Sequence, residues 1–183
     1  MIIPIIVLIV VGIVLMGMYN NMVKLRNRLE GAWSDINVQL KRRYDLIPNL
    51  VETVKGYAKH ESETFEKVIQ ARNAATNVPS SSVAAQAQAE GMLTSALKQV
   101  MLVVENYPEL KANTNYLQLQ ETLSSVEDDI QNSRRYYNAI VRDFNNAVET
   151  FPSLIVARMF NFNPYEYFEV AEGERENVKV KFD

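Results

Sequence analysis

Cysteine is absent from the chain and histidine occurs once, at position 60. Without cysteine there is no disulfide framework and no lipid-bearing cysteine anchor, which agrees with a reducing compartment without demanding one. A single histidine cannot supply the two Glu-x-x-His pairs of a di-iron bundle, and the residue three before His60 is Tyr57. His60-Glu61 opens like H-E-x-x-H, but Thr64 stands at the fifth position and the zinc motif fails. His60 therefore reads as an exposed helix residue. No P-loop, G-x-G-x-x-G or G-x-S-x-G occurs, and Asp128 and Asp129, adjacent on a helix, point apart as a solvated face. These gaps point away from an enzyme, and no cofactor or metal is expected.

Basic residues are in no excess either: 19 Lys and Arg stand against 22 Asp and Glu. That balance makes no positive field for a polyanion, so no nucleic acid partner is expected. Charge is missing altogether from Met1 to Tyr19, and an amphipathic pattern follows directly from Asn20. At about 1.5 Å per helical residue, Ile2 to Tyr19 would reach roughly 27 Å, close to the hydrocarbon thickness of a bilayer. A cleaved signal would need basic residues ahead of its apolar run and small residues at its end. Here nothing basic precedes Lys24, and the run closes with Met16-Gly17-Met18-Tyr19. A buried core helix is disfavoured because every face of the run is apolar. One membrane-spanning helix is expected, with the lipid bilayer as a partner and Tyr19 as its interfacial aromatic.

Lys24, Arg26 and Arg28, then Lys41, Arg42 and Arg43, follow the apolar run. Short flanks rich in Lys and Arg stay on the cytoplasmic side, so the N-terminus is expected outside and the remaining chain in the cytoplasm.

Beyond the anchor, Met22, Leu25, Leu29, Trp33, Ile36 and Leu40 recur every three or four residues, which predicts a helix continuous with the anchor. Leu50, Val51, Val54, Tyr57, Ala58, Phe65, Val68 and Ile69 predict a second, with Asp45 placed to cap it and Pro48 marking a tight turn or, as the weaker alternative, a kink in one long helix. Ala74 to Ser82 reads as a loop, and Val83 to Tyr107 as an Ala-rich third helix. Asn113 or Asn115 can cap a fourth, carrying Tyr116, Leu119, Leu123, Val126, Ile130, Tyr137, Ile140, Phe144, Val148 and Phe151 towards Pro152. Four such helices joined by short links pack most simply as an all-α, up-down-up-down four-helix bundle. Its expected parts are a transmembrane helix at 1–19, a bundle at 20–151 and an aromatic segment and tail at 152–183. Trp33, Ile36, Val54, Leu97, Val126, Ile140 and Phe144 are expected in the core. The fourth helix would return towards the membrane.

The segment from Phe151 to Phe168 is dense in aromatic and large apolar residues, with Arg158 and Glu166 its only charges. Leu154, Ile155, Phe160, Phe162 and Phe168 could close the open end of the bundle's own core. Alternatively the run, with Phe151, Tyr165 and Tyr167, meets a neighbouring subunit or the membrane interface. Glu169, Glu172, Glu174 and Glu176 follow at once, which speaks against anionic lipids and for a subunit. Val178-Lys179-Val180-Lys181-Phe182 alternates like a half-buried strand, either a frayed tail or a strand pairing across a subunit boundary. Val178, Val180 and Phe182 thus join the candidate contacts, and a homo-oligomer is expected.

Two polar-aromatic clusters remain. Asn27 to Ala58, with Ala32-Trp33-Ser34-Asp35, Gln39-Leu40-Lys41-Arg42-Arg43 and Asp45-Leu46-Ile47-Pro48-Asn49-Leu50-Val51, resembles the LemA family of bacteria. So does Arg135 to Phe168, with Tyr137-Asn138, Phe144-Asn145, Phe151-Pro152-Ser153 and Tyr167-Phe168. The resemblance covers most of the chain, membrane helix included, and several motifs together make it specific. It implies a single-pass protein of the bacterial inner membrane with a four-helix domain, and it implies no catalytic residues. Arg26, Asn27, Asp35, Arg42, Arg135, Asn138, Arg142 and Asn145 are candidates for a polar network between the first and fourth helices, set against solvated faces with one or two satisfied core groups. The expected function is a self-associating membrane scaffold that organises or remodels membrane or holds a partner. The alternative is a ligand-binding or enzymatic bundle with an interior site.

Overall fold

The computed structural model describes residues 2–79 and 81–169, and among these the ordered elements are all helices. In chain order they are α1 (Ile2–Lys55), α2 (Ser62–Thr76), α3 (Val83–Glu105), α4 (Pro108–Lys111), α5 (Thr114–Glu149) and α6 (Ser153–Met159). The uncharged run forms the start of α1. It is long and apolar enough to cross a membrane, and none of its most apolar window is buried against the rest of the chain. Contacts group the described residues into two compact units, 2–37 with 131–167 and 38–130 with 168–169, so α1 and α5 contribute to both.

In the first unit, burial along α1 begins at Met22 and continues at Leu29, Ala32 and Ile36, the seven-residue spacing of an inward stripe. The facing residues of α5 are Tyr137, Ile140, Val141, Phe144 and Val148. Trp33, expected in the core, is only half-buried. Ala32 and Ile36 take the inward positions, and one residue on a helix is about 100° of rotation, so Trp33 lies on the flank. There its ring packs 5.5 Å from that of Tyr137.

In the second unit the expected turn at Pro48 does not occur, because α1 continues through it to Lys55, and Asp45 lies within the helix. Proline in a helix interior costs about 3 kcal/mol, partly through the lost N–H. Beyond it, Leu50 and Val54 are fully buried, and each such side chain contributes about 1.5–3 kcal/mol, enough to offset that cost. The carbonyl of Tyr44, which the missing N–H would have served, accepts instead from Arg72 Nε of α2 at 3.3 Å. The chain turns later, between Lys55 and Ser62.

Leu97, also expected inside, is half-buried. Leu93, Ala96, Val100 and Val104 form the buried seam of α3 and place Leu97 beside it. Asn113 does cap α5, its Oδ1 accepting from the Tyr116 N–H at 3.1 Å, and Ser82 caps α3 by accepting from Ala85 N–H at 3.4 Å. Two short helices, α4 and α6, break what the sequence pattern treats as connections.

Candidate functional site

The second unit buries a polar cluster. Arg43, Gln86 and Glu90 are at most 5% exposed, and Tyr44 is 7% exposed. Arg43 Nη1 lies 3.3 Å from Glu90 Oε2 and 3.1 Å from Glu127 Oε2, and its Nη2 donates to Thr94 Oγ1 at 2.8 Å. Tyr44 donates its hydroxyl proton to Glu90 Oε1 in a short hydrogen bond. Gln86 Nε2 donates to that hydroxyl oxygen at 2.8 Å and to Glu90 Oε1 at 3.1 Å. The cluster joins α1, α3 and α5, and each charged group in it has an opposite charge or a hydrogen bond. Such pairing is the condition under which charge survives burial.

Burial raises the Glu90 carboxyl above its ordinary range, against the opposing pull of the Tyr44 hydrogen bond and the Arg43 charge. The Tyr44 hydroxyl is raised as well, by burial first and then by the negative charge of Glu90. The result is an ion-paired, hydrogen-bonded cross-link between α1, α3 and α5. Its sequence signal lay in helical spacing: Gln86 and Glu90 stand seven and three residues before Leu93, on the same inward stripe.

The first unit carries an aromatic clasp. Residues 151 and 152 join through a cis peptide bond, and α6 begins at Ser153. It ends with Asn161 in the left-handed region at φ 55°, a conformation that Asn tolerates better than most residues. The Phe162 N–H closes back on the Ala157 carbonyl at 3.0 Å, a Schellman-type stop that turns the Phe162 ring inward. Phe162 is 5.8 Å from Tyr19 and 6.2 Å from Phe144, and the Arg26 guanidinium sits 5.6 Å over its face. Phe160 packs on Tyr19 at 4.6 Å.

Past Phe162 the chain runs back along α5. The Asn145 amide donates to the Tyr165 carbonyl and accepts from the Tyr165 N–H, both at 2.9 Å. The Tyr165 ring meets Phe144 edge-on at 5.1 Å, and the Tyr137 hydroxyl donates to the Glu166 carbonyl at 3.0 Å. Burial pushes the Tyr137 hydroxyl up to about 12.

Of the candidate contact residues, Phe162 and Phe168 are buried, and Leu154 and Tyr165 half-buried. Phe151, Ile155, Phe160 and Tyr167 are exposed, Phe151 to 79%. Val178, Val180 and Phe182 lie outside the described residues. Most of the eight polar candidates have partners within the chain. Arg26 pairs with Glu30 at 4.0 Å, Arg42 with Gln39 and Asp129, Arg135 with Asn132, and Arg142 with Asp143. Asn145 holds Tyr165, while Asn27 and Asp35 are exposed and Asn138 is partnered within the chain. No group of three or more His, Cys, Asp and Glu side chains is placed to hold a metal ion among the described residues.

Comparison with known proteins agrees with the resemblance in the motifs. A family model described as "LemA family" matches residues 32–182. Protein LemA of Metamycoplasma hominis is 29% identical over 165 residues, covering 90% of this chain and 75% of that protein. Magnetosome protein MamQ of Magnetospirillum gryphiswaldense and magnetosome protein MamQ 1 of Paramagnetospirillum magneticum are each 26% identical. Both alignments cover 82% of this chain, and the chain spans 64% of the length of either magnetosome protein.

Proposed function

From the premise that the chain belongs to the LemA family, we propose that it is a single-pass, membrane-anchored helical scaffold of the bacterial cytoplasmic membrane that self-associates. The observation that carries this is the start of α1: an uncharged, exposed apolar run that continues without a break into the helix bearing the rest of the fold. Lys24, Arg26 and Arg28 on its far side favour an outside N-terminus and a cytoplasmic domain. α1, α2, α3 and α5 then serve as the members of an up-down-up-down bundle, with residues 152–183 as its extension.

Self-association is assigned to Tyr167 and residues 170–183, where the alternating sequence Val178-Lys179-Val180-Lys181-Phe182 suits pairing with a neighbouring copy. Copies that share one membrane and one orientation meet head-to-tail around its normal, which closes into a ring or, with a two-fold axis, a dimer.

The cysteine-free chain makes the topology test direct. Asn77→Cys should resist a membrane-impermeant thiol reagent in intact cells and react after lysis. Labelling from outside overturns the orientation. Two differently tagged copies, co-expressed and extracted in mild detergent, should purify together; a tag that recovers only its own copy overturns self-association.

A further inference from the structure

Ile155 and Met159 stand four residues apart on one face of α6 and are 49% and 64% exposed, while Val156 and Ala157 on the other face are buried. Phe151, just before α6, is 79% exposed, and Phe160, just after it, is 54% exposed. α6 therefore has apolar side chains on both sides, which water alone leaves unaccounted for.

Its level along α1 identifies what lies against it. Trp33 packs on Tyr137, and from that pair α1 descends about 21 Å to Tyr19 while α5 descends about 18 Å to Glu149. The two helices thus reach the same level, where Phe160 rests on Tyr19, the last residue of the uncharged run. α6 with its exposed apolar side chains thus stands at the level where the apolar start of α1 ends, and Arg26 and Arg158 are cations within two turns of the Tyr19–Phe160 contact.

Glu166, the acidic residue in the described fold-back after α6, does not oppose this. By Glu166, whose carbonyl accepts from Tyr137, the chain has climbed back to the Trp33–Tyr137 level, about 20 Å from the end of α5. Glu166 is thereby held away from that surface.

We propose that α6 is a second membrane contact, with Phe151, Ile155, Met159 and Phe160 inserted into the headgroup–acyl boundary of the bilayer that the start of α1 crosses. This rests on the anchor reading above. It makes the domain's stance on the membrane rigid: one helix crosses, and a short second one lies at the surface and fixes tilt and rotation.

Depth-dependent quenching tests it in the full chain, reconstituted in phosphatidylcholine–phosphatidylglycerol vesicles. The lone tryptophan is first removed by Trp33→Phe, with helical circular dichroism retained. Ile9→Trp then reports the anchor and Met159→Trp reports α6, with Ile155→Trp as a second probe of the same face should Met159→Trp not fold. Lipids brominated near the chain ends should quench the Ile9 probe most, and lipids brominated near the headgroup should quench the α6 probe most. An anchor probe that is quenched beside an α6 probe that neither lipid quenches overturns the proposal alone. It does so whether acrylamide reaches the α6 probe, meaning water covers it, or does not, meaning a second copy covers it. An anchor probe that no lipid quenches overturns the anchor reading and the proposal with it.

Discussion

Arg72 Nε lies 3.3 Å from the carbonyl oxygen of Tyr44, the acceptor that Pro48 leaves without its helical donor. Removing that donor should orphan a half-buried carbonyl, so Arg72→Ala is expected to cost about 1–2 kcal/mol in urea unfolding. Pro48→Ala restores an N–H four residues on, and in the Arg72→Ala background it should recover most of the loss. Equal effects of Pro48→Ala in both backgrounds would show that the guanidinium does not stand in for the missing helix bond.

Among the described residues, Arg43 is the cation that touches both Glu90 and Glu127. Arg43→Met leaves buried Glu90 without its charge partner, and about 3–5 kcal/mol of stability should be lost near neutral pH. Glu90 already holds its proton more tightly in the fold than the ordinary value of 4.5 allows. A carboxyl raised in this way favours the fold at low pH, and its contribution falls as pH rises through the window above 4.5. Without Arg43 the window widens, so the cost of the substitution should shrink as pH is lowered towards 5. A pH-independent cost would remove the charge from the explanation.

The two buried tyrosines predict the alkaline limb. Tyr137 ionises near 12 in the fold rather than 10.0, and Tyr44 is raised too. Above pH 10 the unfolded chain loses these protons while the folded chain keeps them, so stability present below pH 10 is lost as pH climbs towards 12. Denaturant unfolding at pH 9 and pH 11 should show the drop, and Tyr137→Phe should make it smaller. An unchanged drop in that variant would place the titration elsewhere.

What the sequence revealed divides by range. The apolar start of α1, the stripe from Met22 to Ile36 and the Asn113 cap are local patterns, settled by residues within a turn or two of one another. Pro48 misleads because what carries the helix past it is distant: Arg72, 28 residues on, serves the Tyr44 carbonyl, and Leu50 and Val54 pack beyond it. Trp33 and Leu97 sit on the three-and-four spacing of large apolar residues, whereas rotation about the helix axis puts the smaller Ala32 and Ala96 inside. The Arg43–Glu90 cluster escaped because its members lie 47 residues apart and each alone resembles a solvated face. Asn145 was legible as a special polar position, but its partner, the Tyr165 backbone, follows only from the fold-back after α6.

Trp33, half-buried against Tyr137, should tolerate truncation better than a core aromatic. Trp33→Ala is expected to cost about 2 kcal/mol, below the 3–5 kcal/mol typical of full burial. A loss at the upper figure in thermal or denaturant unfolding would mean that the flank position is closed by contacts not counted above.

Self-association on one membrane is the centre of the account, and the mass of the purified full-length chain in lipid nanodiscs tests it most directly. After subtraction of the disc, the particle should hold several copies, and deletion of 170–183, which leaves α6 and the Phe162 clasp intact, should reduce it to one. A full-length chain that is already a single copy contradicts the account outright. A complex unchanged by the deletion contradicts the tail as its contact.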